Sequence, residues 1–520
     1  MMGSTFRLAK FTQYLLITLS ILCFVSACTT LGPDYQEPEV PWLQDWYTDL
    51  YGQAKESSEF SEQDLEFWWH LFNDDILNEL IEIAKKENPT IQIAGLRILE
   101  SRAQLGIAGS TLYPQVQQLD GSANYINSED HGGVSLDRHK SFTSYDIGPS
   151  VIWELDFWGK FRRTIESADA AFYASIYNQQ DIQVLLSAQV ATLYYAYRTA
   201  IQSILINQEN ADIQKRNVEI TELRYKRGQD SELDLQQART QYYSTLSVIP
   251  DFEISLVQIG NALSALLGRK PGDLKELEGI DGQLPIVDPI SIQELPAKLL
   301  MRRPDVRASA AQVAIQSAQI GIAEADFYPS ISLLGSINYS GNTLNSTPDT
   351  SLFSAGSGFI WNIFDWGRIE NNVRLQDARL QQTIESFQDQ VLLAAREIDD
   401  AAISVVKTYE QKYIIRESLN SAERSLQIAN KRYSEGYSDF QRVLDAQRAL
   451  LAQSNSELIN HSNHISSIIN FYRALGGGWT DANIDEIIPA TTRDKMENRS
   501  DWGELLTAPL PTENPYKSSE

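Results

Sequence analysis

The chain has 520 residues and a formal net charge of −26, from 69 acidic and 43 basic side chains. This charge argues against nucleic acid and against anionic lipid surfaces as partners, because both repel an acidic protein. It fits a protein kept soluble by its charge, and equally one with an acidic internal surface that favours cations.

The first 27 residues have the pattern of a secretory signal peptide. Arg7 and Lys10 precede an apolar stretch, 15–25, that is too short for a stable membrane span. The stretch ends in Val-Ser-Ala-Cys, which resembles the bacterial lipobox, so we expect the mature chain to begin at a lipid-modified Cys28. An ordinary signal peptide with a chance cysteine is the alternative. Thr29 follows, where lipoproteins kept at the inner membrane typically carry Asp, so the resemblance favours sorting to the outer membrane.

The mature chain has neither a predicted transmembrane helix nor a disulfide. After the signal no stretch of about 18 or more apolar residues occurs. Cys23 would leave with the signal, so the mature chain must be stabilised by packing or by assembly. If it spans a membrane, it must do so as a barrel.

Two stretches of the chain repeat one pattern. Leu-Tyr-Pro at 112–114 leads to Trp-Glu-Leu-Asp-Phe-Trp-Gly at 153–159, and Phe-Tyr-Pro at 327–329 leads to Trp-Asn-Ile-Phe-Asp-Trp-Gly at 361–367. The prolines are 329 − 114 = 215 residues apart and the second tryptophans 366 − 158 = 208. Arg-Tyr-x-x-Gly at 224–228 and 432–436 keeps the spacing of 208. Such duplication limits the possible folds.

Each repeat contains two candidate strands, in hairpins at about 115–153 and 330–361, with alternating apolar and polar residues. A soluble sandwich would show the same alternation. Four strands cannot close a transmembrane barrel, which needs about eight, so in a membrane several protomers must share one barrel. Aromatic residues at the strand ends fit an interfacial belt, although some could pack in a core: Tyr113, Trp153, Trp158, Tyr328, Trp361 and Trp366.

The remaining sequence predicts helices, two of them very long. The runs 159–225 and 367–433 contain no proline and no internal glycine, and each would be about 100 Å long. We expect shorter helices at about 89–112, 231–267, 304–327 and 439–475, stacked beside the long ones. The stretch 269–303 is predicted to be a linker, with one short helix before Pro296, and the residues beyond Trp479 a loosely attached tail.

Several motifs together resemble the TolC-like outer-membrane efflux factors, in the lipoprotein branch of OprM or NodT type. They are the lipobox with Gly32-Pro33-Asp34-Tyr35 and Pro38, the Trp68-Trp69 pair with Phe72, the doubled unit, Arg-Arg-Pro-Asp at 302–305, Val-Leu-Asp-Ala-Gln-Arg at 443–448 and Ala-Leu-Gly-Gly-Gly-Trp at 474–479. The resemblance implies a mixed α/β membrane protein. It would be a homotrimer that shares one β-barrel, four strands per protomer, continued by a long periplasmic α-helical barrel.

On this resemblance the chain divides into a signal peptide (1–27), a lipidated and equatorial segment (28–88), a first repeat (89–268), an equatorial linker (269–303), a second repeat (304–475) and a tail (476–520). The implied function is a passive exit duct, completed by a periplasmic adaptor and an inner-membrane pump, commonly of the resistance-nodulation-division class. No phosphate-binding Gly-x-x-x-x-Gly-Lys-Ser/Thr motif occurs, so we expect no enzyme, and no cofactor apart from the lipid. The alternatives are a secretion or metal-ion duct and, in another class, a lipid-anchored periplasmic coiled-coil spacer.

The resemblance also assigns roles near the helix tips. Gly228 and Gly436 permit the reversals that end the long helices, and by resemblance they contact the adaptor. Asp445 matches a carboxylate that points into the closing pore in relatives, where three copies would repel one another and bind cations. Arg442 stands where some relatives have a second acid, which puts a second acidic ring in doubt.

Asp234 and Tyr433 match an aspartate and a tyrosine whose hydrogen bond holds the closed tip in relatives. The alternative is a solvated carboxylate and an ordinary tyrosine in a helix seam. His461 and His464, spaced i and i+3, lack a third ligand at a recognisable spacing, so we expect surface polar residues there rather than a metal site.

Overall fold

The computed structural model describes residues 29–43, 51, 65–129, 139–287, 300–343 and 349–511. The predicted signal peptide and the predicted lipidation site Cys28 lie outside the described residues. The main elements are α1 (Asp75–Glu87), α2 (Pro89–Ser110), β1 (Val116–Glu129), β2 (His139–Leu155), α3 (Lys160–Lys226), α4 (Glu232–Leu266), α5 (Pro304–Ala325), β3 (Ser330–Gly341), β4 (Thr350–Ile360), α6 (Arg368–Ser434), α7 (Gln441–Ala474), α8 (Ile484–Ile487) and α9 (Ala490–Glu497). The chain is thus mostly helical, with one four-stranded sheet.

The sheet is antiparallel, in the order β1-β2-β3-β4, and it joins the two repeats. Within each repeat the strands form a hairpin, with Ser122 opposite Asp146 in the first and Ile337 opposite Phe353 in the second. Between the repeats β2 pairs with β3, which places Trp153 opposite Leu333. Since β1 and β4 each have one neighbour, both edges of the sheet are free in a single copy.

The two predicted long helices are confirmed, and each has 67 residues. Both begin after a left-handed glycine, Gly159 or Gly367. An aspartate near each start accepts hydrogen bonds from the first free backbone amides: Asp156 from the N–H groups of residues 161 and 162, and Asp365 from those of residues 367 and 369. At 1.5 Å per residue each helix is about 100 Å long.

Within the described ranges, none of the helices combines the length and the apolar character that crossing a bilayer requires.

The main core lies part-way along the long helices and is rich in aromatic rings. Its largest fully buried side chains are Trp68, Trp69, Tyr194, Tyr195, Phe387 and Phe471. Trp68 stacks on Tyr472 of α7, with the ring centroids 5.7 Å apart. The predicted heptad seam of α6 enters this core, since Val391, Ile398 and Val405 are all buried. The core therefore fixes α6 and α7 beside the segment that precedes α1.

The segment after residue 28 is held at the base of the sheet. Arg163, at the start of α3, is buried and donates to the carbonyl oxygens of Leu31 and Gly32 and to the carboxylate of Asp34, at 2.9, 2.9 and 2.8 Å. The backbone N–H of Leu31 donates to the carbonyl of Trp158. This segment is thus bound to the point where β2 passes into α3.

The prediction of a loosely attached tail is wrong for the described residues. Three apolar residues spaced to face one side of α8, Ile484, Ile487 and Ile488, are buried, as are Met496 and Leu506 further on. A capping box between Asn483 and Glu486 starts α8. The guanidinium of Arg102 on α2 donates to the carbonyls of Ala508 and Pro509. Although this segment is polar on average, its apolar residues are spaced so that they share one face, and that face packs on α2.

Arg303 joins three helices at one buried point. Its guanidinium bonds the carboxylates of Asp305 at 2.7 Å and Glu397 on α6 at 2.9 Å, and the carbonyl of Ala474 at the end of α7 at 2.6 Å. Burial opposes ionisation of the Asp305 carboxyl, but the bonds from Arg303 outweigh it and hold its pKa below the ordinary value. The ion pairs therefore tie the start of α5 to both helices of the second hairpin.

We expect Arg303→Ala to lower the free energy of unfolding by about 3 kcal/mol, because it leaves two carboxylates and a helix-end carbonyl without their shared partner. The neighbouring Arg302 lies 4.0 Å from the carboxylate of Glu66 and 5.8 Å from the ring centroid of Trp479, and Arg302→Ala serves as the matched control. Denaturant unfolding followed by circular dichroism measures both. Equal losses in the two variants would show that the buried position of Arg303 carries no special weight.

Candidate functional site

The two helical hairpins end in turns of the same design. At the first turn the N–H of Gln229 donates to the carbonyl of Arg224, and at the second the N–H of Tyr437 donates to that of Arg432, at 2.9 and 2.8 Å. Gly228 and Gly436 have φ of 73° and 81°. No atom lies within 4 Å of the Cβ that either glycine lacks, so both are required by backbone conformation and not by crowding. The space around them stays open for a partner.

Three side chains link the two turns. The phenol of Tyr433 donates to the carboxylate of Asp230, and the Arg224 Nε donates to the same oxygen at 2.9 Å. The Arg224 guanidinium also lies over the Tyr433 ring, 4.7 Å from its centroid. The side chain of Asp230 is only 8% exposed, so the bonds are shielded from water. Both hairpins are tied together here, and we call these three residues the tip link.

Within one chain Tyr433 bonds Asp230 and not the predicted Asp234, so a bond between Asp234 and Tyr433 of neighbouring copies stays a prediction. Asp234 is the third residue of α4, where its carboxylate accepts from the backbone N–H and the hydroxyl of Ser231, and its own N–H donates back to that hydroxyl. This capping box engages one oxygen of the Asp234 carboxylate. Asp230 lies one residue before the cap and faces Tyr433. In one chain the acid bonded to Tyr433 is therefore Asp230, and the role of Tyr433 as a latch stays a prediction.

The charge of Asp230 keeps Tyr433 a hydrogen-bond donor. Burial and the Asp230 carboxylate together raise the pKa of the Tyr433 phenol to about 12. The bonds to Asp230 likewise raise the pKa of Arg224 above its ordinary value. Tyr433 and Arg224 therefore remain hydrogen-bond donors through the neutral and mildly alkaline range.

The predicted gate residues lie exposed on the first turns of α7. Asp445 accepts from the side-chain amide of Gln441 at 3.0 Å, and the guanidinium of Arg448 lies 3.8 Å from the same carboxylate. Arg442 lies 4.0 Å from Asp439. The two ion pairs, Asp445 with Arg448 and Arg442 with Asp439, are long and exposed to solvent, so they hold neither Asp445 nor Arg442 firmly. Asp445 and Arg442 are thus placed together, and their roles at a pore stay predictions.

A groove of about 910 Å³ lies between α3 and α4 close to the first turn. Tyr242 and Tyr243 line it, together with Glu222, Arg239 and Lys215. Glu222 bonds Lys226 at 2.9 Å and approaches Arg239 to 3.6 Å, so charges of both signs border the groove. The α3/α4 groove was not predicted from the sequence; its signal there is the Tyr242-Tyr243 pair, of which Tyr243 is largely exposed.

The profile of the outer membrane efflux protein family matches residues 80–269 and 295–477. The chain is 30% identical over 476 residues to the probable outer membrane lipoprotein SilC of Salmonella typhimurium, covering 90% of this chain and 99% of SilC. It is 28% identical to the cation efflux system protein CusC of Escherichia coli O157:H7, covering 89% and 98%. Its fold is similar to that of the outer-membrane channel OprN, with a TM-score of 0.78 and 28% identity, covering 86% and 99%.

This chain belongs to the outer membrane efflux protein family. Its location is the outer membrane. The family match includes both turns, the tip link, the α3/α4 groove, Asp445 and Arg442. Cys28 lies before the matched residues, so its modification stays a prediction.

The two histidines of the efflux protein are not the surface residues predicted from the sequence. His464 is buried, and its Nδ1 lies 2.9 Å from the hydroxyl of Thr408. The Nε2 of His461 lies 2.9 Å from the carbonyl oxygen of Pro285. Among the described residues no group of three or more potential metal ligands occurs. The apolar stripe of α7, with Ile465 and Ile468, turns the histidines inward.

Burial, the charge of Lys412 and the neighbouring His461 lower the pKa of His464 to about 4. The unfolded chain takes up this proton at about 6.5, the ordinary value, so the folded efflux protein loses stability as pH falls from 6.5 towards 4. We expect His464→Asn to reduce this loss, measured as the thermal midpoint across that pH range. A wild-type slope in His464→Asn would contradict the assignment.

Proposed function

We propose that this efflux protein is the passive exit duct of a tripartite efflux system. Three copies would share one β-barrel and continue it as a periplasmic α-barrel, and a periplasmic adaptor and an inner-membrane pump would complete the route. The observation that carries the proposal is the run of each hairpin of strands into a helix of 67 residues. A sheet in the membrane would thereby continue about 100 Å into the periplasm.

The sheet itself supports sharing between copies. Its edges β1 and β4 have unpaired backbone groups, which lipid does not tolerate, and closure of a barrel needs about eight strands. Apolar side chains of one parity lie largely exposed on it: Leu119, Tyr125, Phe353 and Phe359. These positions would face lipid. The spacer alternative offers no covering for them.

Lipid on Cys28 would add a second attachment to the same membrane. The similar protein SilC is named a lipoprotein, and the sequence before Cys28 resembles a lipobox. The bonds of Arg163 hold residues 31–34 at the base of the sheet, which would place Cys28 near the membrane surface. The lipid anchor and the barrel would then attach the protein at the same level of the membrane.

The open turns at Gly228 and Gly436, and the α3/α4 groove close to the first turn, suit contact with the adaptor. The glycines leave room for an approaching backbone, and the groove offers aromatic rings with charges of both signs. Aromatic side chains are favoured in protein interfaces. We therefore place the adaptor contact on the turns and in this groove.

Asp445 would form the gate. Three symmetry-related carboxylates near one axis repel one another and attract divalent cations, and Arg442 and Arg448 would moderate that charge. We expect wild-type protein in planar bilayers to give small cation-selective conductance steps blocked by divalent cations. Asp445→Ala should enlarge the steps or abolish the block.

Glu435→Ala is the matched control, since Glu435 is an exposed acid at the same tip. A folded protein without conductance steps at any voltage would reject the duct in favour of the spacer. A duct for metal ions is the second candidate, favoured by the name of CusC and by the net charge of −26. Strong cation selectivity in the reversal potential would support it, and passage of large organic ions would oppose it.

The tip link would hold the closed state, because opening requires the hairpins to separate. We expect Tyr433→Phe, which removes only the hydroxyl that bonds Asp230, to raise the frequency of open events several-fold. Tyr437→Phe removes an exposed hydroxyl one turn away and should behave as wild type. Single-channel recording measures both. Identical opening in wild type and Tyr433→Phe would show that the link is structural only.

A further inference from the structure

The junction between the two repeats has a specific aromatic contact at its base. Trp158, which follows β2, stacks on Tyr328, which precedes β3, with the ring centroids 4.5 Å apart. The indole Nε1 donates to the carbonyl of Pro329 at 2.9 Å, and Lys160 bonds Asp326 at 2.7 Å. The first repeat supplies the tryptophan and the second supplies the Tyr-Pro pair. We call this contact the inner junction.

The two free edges of the sheet carry the same residues without the contact. By the repeat spacings, Trp366 after β4 corresponds to Trp158, and Tyr113-Pro114 before β1 corresponds to Tyr328-Pro329. In the single copy Trp366 is 99% exposed and Tyr113 is 70% exposed. One edge thus offers the tryptophan of the junction, and the other edge offers its Tyr-Pro pair.

The hairpin bases match in their internal bonds. The Trp153 Nε1 donates to the carbonyl of Leu112 at 3.1 Å, and the corresponding Trp361 Nε1 donates to that of Phe327 at 2.9 Å. They differ at Trp366, whose φ of 56° is unusual for a bulky residue. We expect this residue to change conformation when a neighbour covers it.

The helices show the same incompleteness. Of the two equivalent short helices, α5 packs against both long helices α3 and α6, whereas the main long-helix contact of α2 is with α3. Apolar side chains stay exposed on both helices: Ile93 and Ile107 on α2, and Leu375 and Leu392 on α6. A second copy that placed its α2 against α6 would complete the pattern set by α5.

We propose that the junction between copies repeats the inner junction: Trp366 of one copy stacks on Tyr113 of the next and donates its Nε1–H to the carbonyl of Pro114, while α2 covers α6. The occupant of each free edge is thus a second copy of this chain. This inference rests on the proposed shared barrel and names the residues that close it.

One part of the inner junction is not repeated. The positions that correspond to Lys160 and Asp326 are occupied by Arg368 and Thr111, so the ion pair has no counterpart between copies. The contact between copies therefore depends on the aromatic stack and on its hydrogen bond. We expect it to be insensitive to salt, since exposed ion pairs are the part that salt screens.

Paired cysteines test the contact, because the only cysteines of the chain are Cys23 in the signal and Cys28. Tyr113→Cys with Trp366→Cys, treated with a short bismaleimide in membranes, should give covalent dimers and trimers on denaturing gels. The internal pair, Trp158→Cys with Tyr328→Cys, should cross-link within one chain and stay monomeric. Each single variant should also stay monomeric.

Two readouts separate the possible failures. Light scattering in detergent gives the number of copies: a trimer without cross-links in the outer pair would overturn the junction and leave the duct intact, whereas a monomer in the unmodified protein would overturn the shared barrel. Dimers from Trp366→Cys alone would mean that the tryptophans face each other, which also overturns the proposal. Trp366→Ala should dissociate at lower temperature than wild type, and Trp366→Phe, which keeps a ring, should fall between them.

Discussion

A helix of 67 residues has far more surface than it can cover itself, and this constraint governs the whole chain. Most helical stability in proteins comes from packing along an apolar face, so each long helix needs neighbours over its full length. The short helices supply them end to end: α5 and α7 lie along α6, and α2 and α4 lie along α3. In one copy, parts of α6 and α2 stay exposed, and another copy would cover them.

The sequence predicted these helices well because their signal is an absence. Over more than sixty residues neither proline nor an internal glycine interrupts them, and Gly159 and Gly367 mark where each begins. The strands were equally legible from their alternation of apolar and polar residues. Their pairing between repeats, β2 with β3, was not, because alternation sets the face of a strand and leaves its neighbour open.

Some details were predicted wrongly because one residue type can serve more than one structural role. Asp230 and Asp234 both lie at the first turn, and resemblance alone selected Asp234 for the bond to Tyr433. The Ser-x-x-Asp spacing that begins at Ser231 was the available sign that this carboxylate caps a helix. The tail was misjudged similarly: average polarity outweighed the spacing of Ile484, Ile487 and Ile488, which is what decides burial. His464 is a further example, since it is polar but lies within the apolar stripe of α7 and is buried.

The clamp that Arg163 makes on Leu31, Gly32 and Asp34 has a consequence for how the protein sits in its membrane. A lipid on Cys28 would be attached only three residues before the first clamped carbonyl, a span of at most about 10 Å. The acyl chains would then hold the protein at a nearly fixed height relative to the membrane and would not act as a flexible tether. Movement of the barrel along the membrane normal would be limited to that span. An insertion between residues 28 and 31 would widen this range of movement and would leave every packed side chain unchanged.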